Sequence, residues 1–131
     1  KLSRLGEAIG RAFQIRDDIL GIWGENSVTG KPRGSDIRRK KRSLPIVLGI
    51  SHAAGPDQEA LREIYRKDEL TDSDVAAVTG LLERLGVRDE AEGMVNNELS
   101  RARKELEEVA FSADGKKDLS ELIDYLARRS K

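Results

Sequence analysis

Apolar residues recur along this chain at spacings of three and four, the signature of helices that bury one stripe and wet the rest. Leu2, Leu5, Ile9, Ala12, Phe13, Leu20 and Trp23 fall on one such stripe and predict a first helix over about residues 2–23. Gly24 follows, able to close a helix in the left-handed region. Gly, Pro, Ser and Asn crowd residues 25–35, which is turn chemistry. A second helix starts near Ser43, with Pro45 in a first turn where its missing N–H costs nothing. Ile46, Val47, Leu48 and Ile50 make that helix apolar nearly all round, so it is expected to be buried. Gly55-Pro56 stops it, and a short helix is expected over about 57–66. Thr71-Asp72-Ser73-Asp74 has the layout of a capping box ahead of a helix over 75–85, closed by Gly86. A long helix over about 88–109 would bury Ala91, Met94, Val95, Leu99, Ala102, Leu106 and Val109. A last one over about 117–128 would bury Leu119, Leu122, Ile123 and Leu126. No segment shows strand alternation. The expected class is all-α, an antiparallel helix bundle, with residues 1–131 as one helical domain.

Composition narrows the function classes. The 24 basic and 24 acidic residues cancel, which argues against a dedicated nucleic-acid binder, whose affinity would draw on excess positive charge. The absence of cysteine excludes a disulfide framework and a thiolate zinc site. No apolar run approaches the roughly 18 residues of a membrane span. With no leader pattern in view, the expected compartment is the cytoplasm. Helical periodicity is already under way at Leu2, without a cap before it, so the chain reads as a piece of something longer that begins inside a helix.

The candidate chemistry sits on the first helix and just beyond it. Gln14, Asp17, Asp18 and Gly21 share one face, roughly opposite the apolar stripe at ~100° per residue. Ser3, Gly6 and Gly10 extend that face. An ordinary solvated face carries Lys, Glu and Gln; several glycines there suggest close approach of a ligand or a neighbouring backbone. Neither acid has a base one turn further on, since Gly21 and Ile22 occupy those places. Magnesium would relieve the repulsion, because it takes carboxylate oxygens and completes its shell with waters and phosphates. Thr29-Gly30-Lys31 follows in a flexible loop. It is not a Walker P-loop, yet Lys31 at its tip can bring an ammonium to a phosphate. The run Arg38-Arg39-Lys40-Lys41-Arg42 alone would read as a solvated basic patch. Behind the acids it suggests cations and metal-binding carboxylates facing one polyanion. His52 has no second histidine at ligand spacing and no nucleophile partner, and Trp23 reads as a packing aromatic.

Taken in order, Gly10-Arg11-Ala12-Phe13-Gln14-Ile15-Arg16-Asp17-Asp18-Ile19-Leu20, then Thr29-Gly30-Lys31, then Asp36-Ile37 with Lys41 and Leu44-Pro45, resemble the C-terminal half of the trans-isoprenyl diphosphate synthases, or polyprenyl synthetases. The resemblance implies packed antiparallel helices around a deep cavity. It implies magnesium-dependent head-to-tail condensation of isopentenyl diphosphate onto an allylic diphosphate. Carried over, Asp17 is the direct magnesium ligand and Asp18 supports the metal and its waters. Gln14 lines the pocket beside the reacting allylic group, Lys31 and Lys41 bind the diphosphate, and Asp36 anchors the loop. The family's last motif aspartate is Gly21 here, and no other Asp-Asp pair occurs in the chain, so the first aspartate-rich motif is absent. The expectations are an isolated chain without activity, prone to self-association as a homodimer or higher. The alternatives are a noncatalytic helical subunit or assembly module, and a terpene cyclase relative, which the Thr29-Gly30-Lys31 loop disfavours.

Overall fold

A computed structural model describes residues 2–24, 33–108 and 113–128. The helices are α1 (Leu2–Trp23), α2 (Ser35–Arg38), α3 (Leu44–His52), α4 (Pro56–Tyr65), α5 (Asp72–Arg84), α6 (Val87–Glu108) and α7 (Ala113–Arg128). No strand occurs among the described residues, so the all-α class holds. Predicted boundaries hold to a few residues, and the four-residue α2 is the helix that periodicity could not announce, being shorter than one amphipathic repeat. The chain divides into two compact units, Lys1–Asp17 with Glu92–Ser130, and Asp18–Ala91.

The first unit buries Leu5, Ala8 and Ala12 of α1, Val95, Leu99, Ala102 and Leu106 of α6, and Ile123 and Leu126 of α7. Among these apolar side chains lies Arg16, only 1% exposed. Its Nη1 contacts both carboxylate oxygens of Glu92, at 2.9 and 2.7 Å, and its Nε donates to the Leu126 carbonyl at 3.2 Å. The buried line of α1 therefore runs Leu5, Ala8, Ala12, Arg16, Ile19 and Trp23 at steps of three and four. Phe13, placed on the apolar stripe by its chemistry, stands about 100° away from Ala12 and is half exposed. Leu122, expected in the core of α7, is likewise 40% exposed. Val109 lies outside the described residues.

In the second unit Ile19, Leu20, Ile22 and Trp23 of α1 are buried, as are Ile37, Ile46, Leu61, Val75, Val78, Leu81, Leu82 and Val87. The capping box forms as expected: Thr71 Oγ1 accepts from the Asp74 N–H at 3.1 Å, and Asp74 Oδ2 accepts from the Thr71 N–H at 2.9 Å. Gly86, at φ 73°, closes α5 in the left-handed region. A Cβ on Gly49 would collide with Leu82, so α3 and α5 meet backbone to side chain there. The expectation that α3 is buried holds on that side alone. Only its Pro45, Ile46 and Gly49 side is covered, while Val47 and Ile50 are 46% and 44% exposed. Hydropathy alone could not separate a helix with one covered face from one covered on all sides. Trp23 is core, with its Nε1 3.4 Å from Glu83 Oε1 and the Arg88 guanidinium 5.4 Å over its ring.

Candidate functional site

The acidic pair sits in the C-terminal third of α1, and its two members differ sharply. Asp17 is exposed and has no ion pair or hydrogen bond with another described residue. Asp18 is buried. Its Oδ2 accepts from the Leu44 N–H at 2.9 Å and its Oδ1 lies 3.4 Å from Lys41 Nζ. The two acids share a side of α1, yet only Asp17 is open to solvent. The reason lies at the start of α3. A helix begins with N–H groups that lack intrahelical partners. Ser43, the N-cap residue of α3, makes no side-chain cap bond. The Asp18 carboxylate supplies that acceptor from another helix, where a negative charge also suits the helix dipole.

Lys41 bridges two carboxylates, its Nζ lying 3.7 Å from Asp36 Oδ2 as well as 3.4 Å from Asp18. Asp36 Oδ1 also accepts from Arg39 Nη2 at 3.0 Å. Asp36 is buried against Gly21, and a Cβ at position 21 would fall inside its carboxylate group. Close approach to the glycine face therefore occurs at Gly21 and comes from within the chain. At Gly6 and Gly10 a Cβ would meet nothing within 4 Å. Ser43 Oγ, beside this cluster in sequence, is buried and has no hydrogen-bond partner.

The structure scatters the rest of the basic run. Arg38 donates to the Leu70 carbonyl at 3.0 Å and pairs with Asp72, and Lys40 donates to the Lys67 carbonyl. These contacts tie the α2–α3 connection to the start of α5, a structural use that composition could not separate from anion binding. Arg42, Arg62 and Tyr65, together with Ile46, Ile50 and Leu61, line a pocket of about 410 Å³. None of Gln14, Asp17, Asp18 or Lys41 lines it. The Tyr65 hydroxyl is buried without a partner there, and burial pushes its pKa up to about 12. Gln14 is exposed on α1, one turn before Asp17 and Asp18. Thr29, Gly30 and Lys31 lie outside the described residues. His52 pairs with Glu90 Oε1 at 2.7 Å. Nothing in the sequence marks Arg16 as buried against Glu92 or Arg39 as the partner of Asp36. A lone arginine on the apolar line of a helix and one at i+3 from Asp36 carry no signal until their partners are folded against them.

The polyprenyl synthetase family model matches residues 1–82. The chain is 35% identical to geranylfarnesyl diphosphate synthase of Aeropyrum pernix over 131 residues, 99% of this chain and 40% of that protein. It is 34% identical to geranylgeranyl diphosphate synthase of Mycobacterium tuberculosis over 113 residues, 86% of this chain and 32% of that protein. Its fold matches geranylgeranyl pyrophosphate synthase from Corynebacterium glutamicum, solved with isoprenyl diphosphate and magnesium, at a TM-score of 0.87 and 30% identity over 96% of this chain and 36% of that one. The chain belongs to the polyprenyl synthetase family. It spans about a third to two fifths of the length of the curated relatives it matches. No helix among the described residues is long and apolar enough to cross a membrane.

Proposed function

We propose that this chain supplies the second acidic face of a prenyltransferase that joins isopentenyl diphosphate head-to-tail to an allylic diphosphate with magnesium. The observation that carries the reading is the asymmetry of the pair. Asp18 is held by a backbone N–H and an ammonium, which fixes the helix, and the adjacent Asp17 presents an exposed carboxylate from that fixed helix. No group of three or more metal-ligating side chains occurs among the described residues. Magnesium shared with a substrate needs only one or two carboxylates and takes phosphate and water oxygens for the rest. Bound there, the metal would neutralise the diphosphate as its allylic C–O bond breaks. Asp17 would be its direct ligand, with Asp18 orienting Asp17 and the coordinated waters. Gln14 would border the allylic group one turn earlier on α1. Lys31 and Lys41 would hold the diphosphate oxygens, Lys41 from its place between two carboxylates.

Calorimetric titration of this chain with magnesium and inorganic pyrophosphate tests the reading. Saturable, magnesium-dependent binding that Asp17→Asn abolishes is expected. Binding left unchanged by Asp17→Asn sinks it. Alone, the chain is expected to make no product from isopentenyl and geranyl diphosphates, since it carries one acidic motif. The half-exposed Phe13, Val47 and Ile50 favour self-association as a homodimer or higher, which light scattering across a concentration series checks.

A further inference from the structure

We propose that Asp36 is a positioning residue that stands in, from α2, for a side chain that α1 lacks at Gly21. Position 21 is three residues after Asp18, so any side chain there would share the Asp18 face. The Asp36 carboxylate occupies that volume instead, with Oδ1 3.0 Å from where a Cβ would stand and the other oxygen closer still. It is held there by the backbone of its own loop. Gly34, at φ 79°, turns the chain into α2, and Lys40, at φ 57°, turns it out again. The Lys41 N–H then donates to the Asp36 carbonyl at 2.9 Å. Both turns use the left-handed region, which a non-glycine residue such as Lys40 occupies only when its surroundings impose it. The result aims Asp36 and Lys41 at α1 together. One ammonium faces two carboxylates, so Asp36 sets where Lys41 sits and Lys41 sets where Asp18 sits.

The significance for diphosphate binding rests on the function proposed above; the geometry does not. Three alanine substitutions on α1 separate the two. Replacing an interior helical glycine by alanine ordinarily stabilises. Gly6→Ala and Gly10→Ala, where a Cβ meets nothing, are expected to raise the melting temperature. Gly21→Ala is expected to lower it by about 5 °C, because the new Cβ displaces Asp36. In an Asp36→Ala background the same Gly21→Ala change is expected to turn stabilising. A Gly21→Ala variant that melts above the parent overturns the proposal.

A signature beyond stability comes from the Lys41 ammonium, whose NMR cross-peak should be sharpened by its two carboxylate partners. Asp36→Ala is expected to broaden it, and adding Gly21→Asp to Asp36→Ala is expected to restore it, since the new carboxylate enters the vacated volume. A double variant no better than Asp36→Ala also overturns the proposal. If the parent chain binds no magnesium pyrophosphate, the diphosphate reading fails while the melting series and the Lys41 signal still decide this one.

Discussion

Two charged side chains, Arg16 and Asp18, stand two residues apart on α1, are both buried, and do different work in the two units. In the first unit Arg16 reaches outward from an apolar line to Glu92 of α6 and the α7 backbone, so one side chain ties three helices. In the second, Asp18 receives: the start of α3 and a lysine are brought to it. The first arrangement joins long helices that apolar packing already brings together. The second fixes short elements, the four-residue α2 and the first turn of α3. A buried charge is costly unless its hydrogen bonds are met. Both sites meet them with long-range partners, which explains why neither could be read as buried from its neighbours in sequence.

The contrast can be broken from either side. Arg16→Ala should have the largest effect, about 2–4 kcal/mol in denaturant unfolding. It empties packed volume and strips two helices of a shared donor, while Glu92 stays partly hydrated. Arg16→Met should recover part of that loss by refilling the space. Asp18→Ala should cost about 1–2 kcal/mol through the lost helix start, with Asp18→Asn milder because its amide oxygen still accepts from the Leu44 N–H. Asp17→Asn should lie within about 0.5 kcal/mol of the parent, so that its effect on ligand binding stands clear of folding. A reversed order, Asp18→Ala exceeding Arg16→Ala, would mean that the short-element unit limits the stability of the whole chain.

A smaller effect should appear in acid. Asp74 is lowered from 3.8 to about 2, first by its hydrogen bond from Lys67 Nζ at 2.8 Å and then by the Thr71 backbone N–H. Because the folded value is the lower one, the contribution is complete above about pH 4 and fades as pH falls toward 2. Asp74→Asn should flatten that part of a pH-dependent melting curve. Thr71→Ala should cost about 1 kcal/mol at neutral pH through the lost cap. Smallest of all, Arg103→Ala removes an exposed pair with Asp124 at 3.0 Å and should change stability by less than about 0.5 kcal/mol.

Much of the fold was legible without coordinates. The helical repeat located α1 and α6 almost to the residue and α5 to within three, Gly86 and the Thr71 box marked real ends, and the Asp17-Asp18 pair with its downstream lysines pointed to the family that the residue 1–82 match then established. These features are local. They depend on periodicities of three and four residues and on backbone preferences of single residues, so adjacent letters suffice to see them. What escaped was which polar groups are inside. Asp17 and Asp18 are the same amino acid in consecutive positions, yet one faces solvent and the other anchors α3, because Leu44 and Lys41 arrive from over twenty residues away. Gly21 reads in the sequence as a missing acid, and only folding reveals that Asp36 fills its place. Periodicity along a helix tells which residues share a side; what covers that side depends on distant segments, and their arrival is a property of the packed chain.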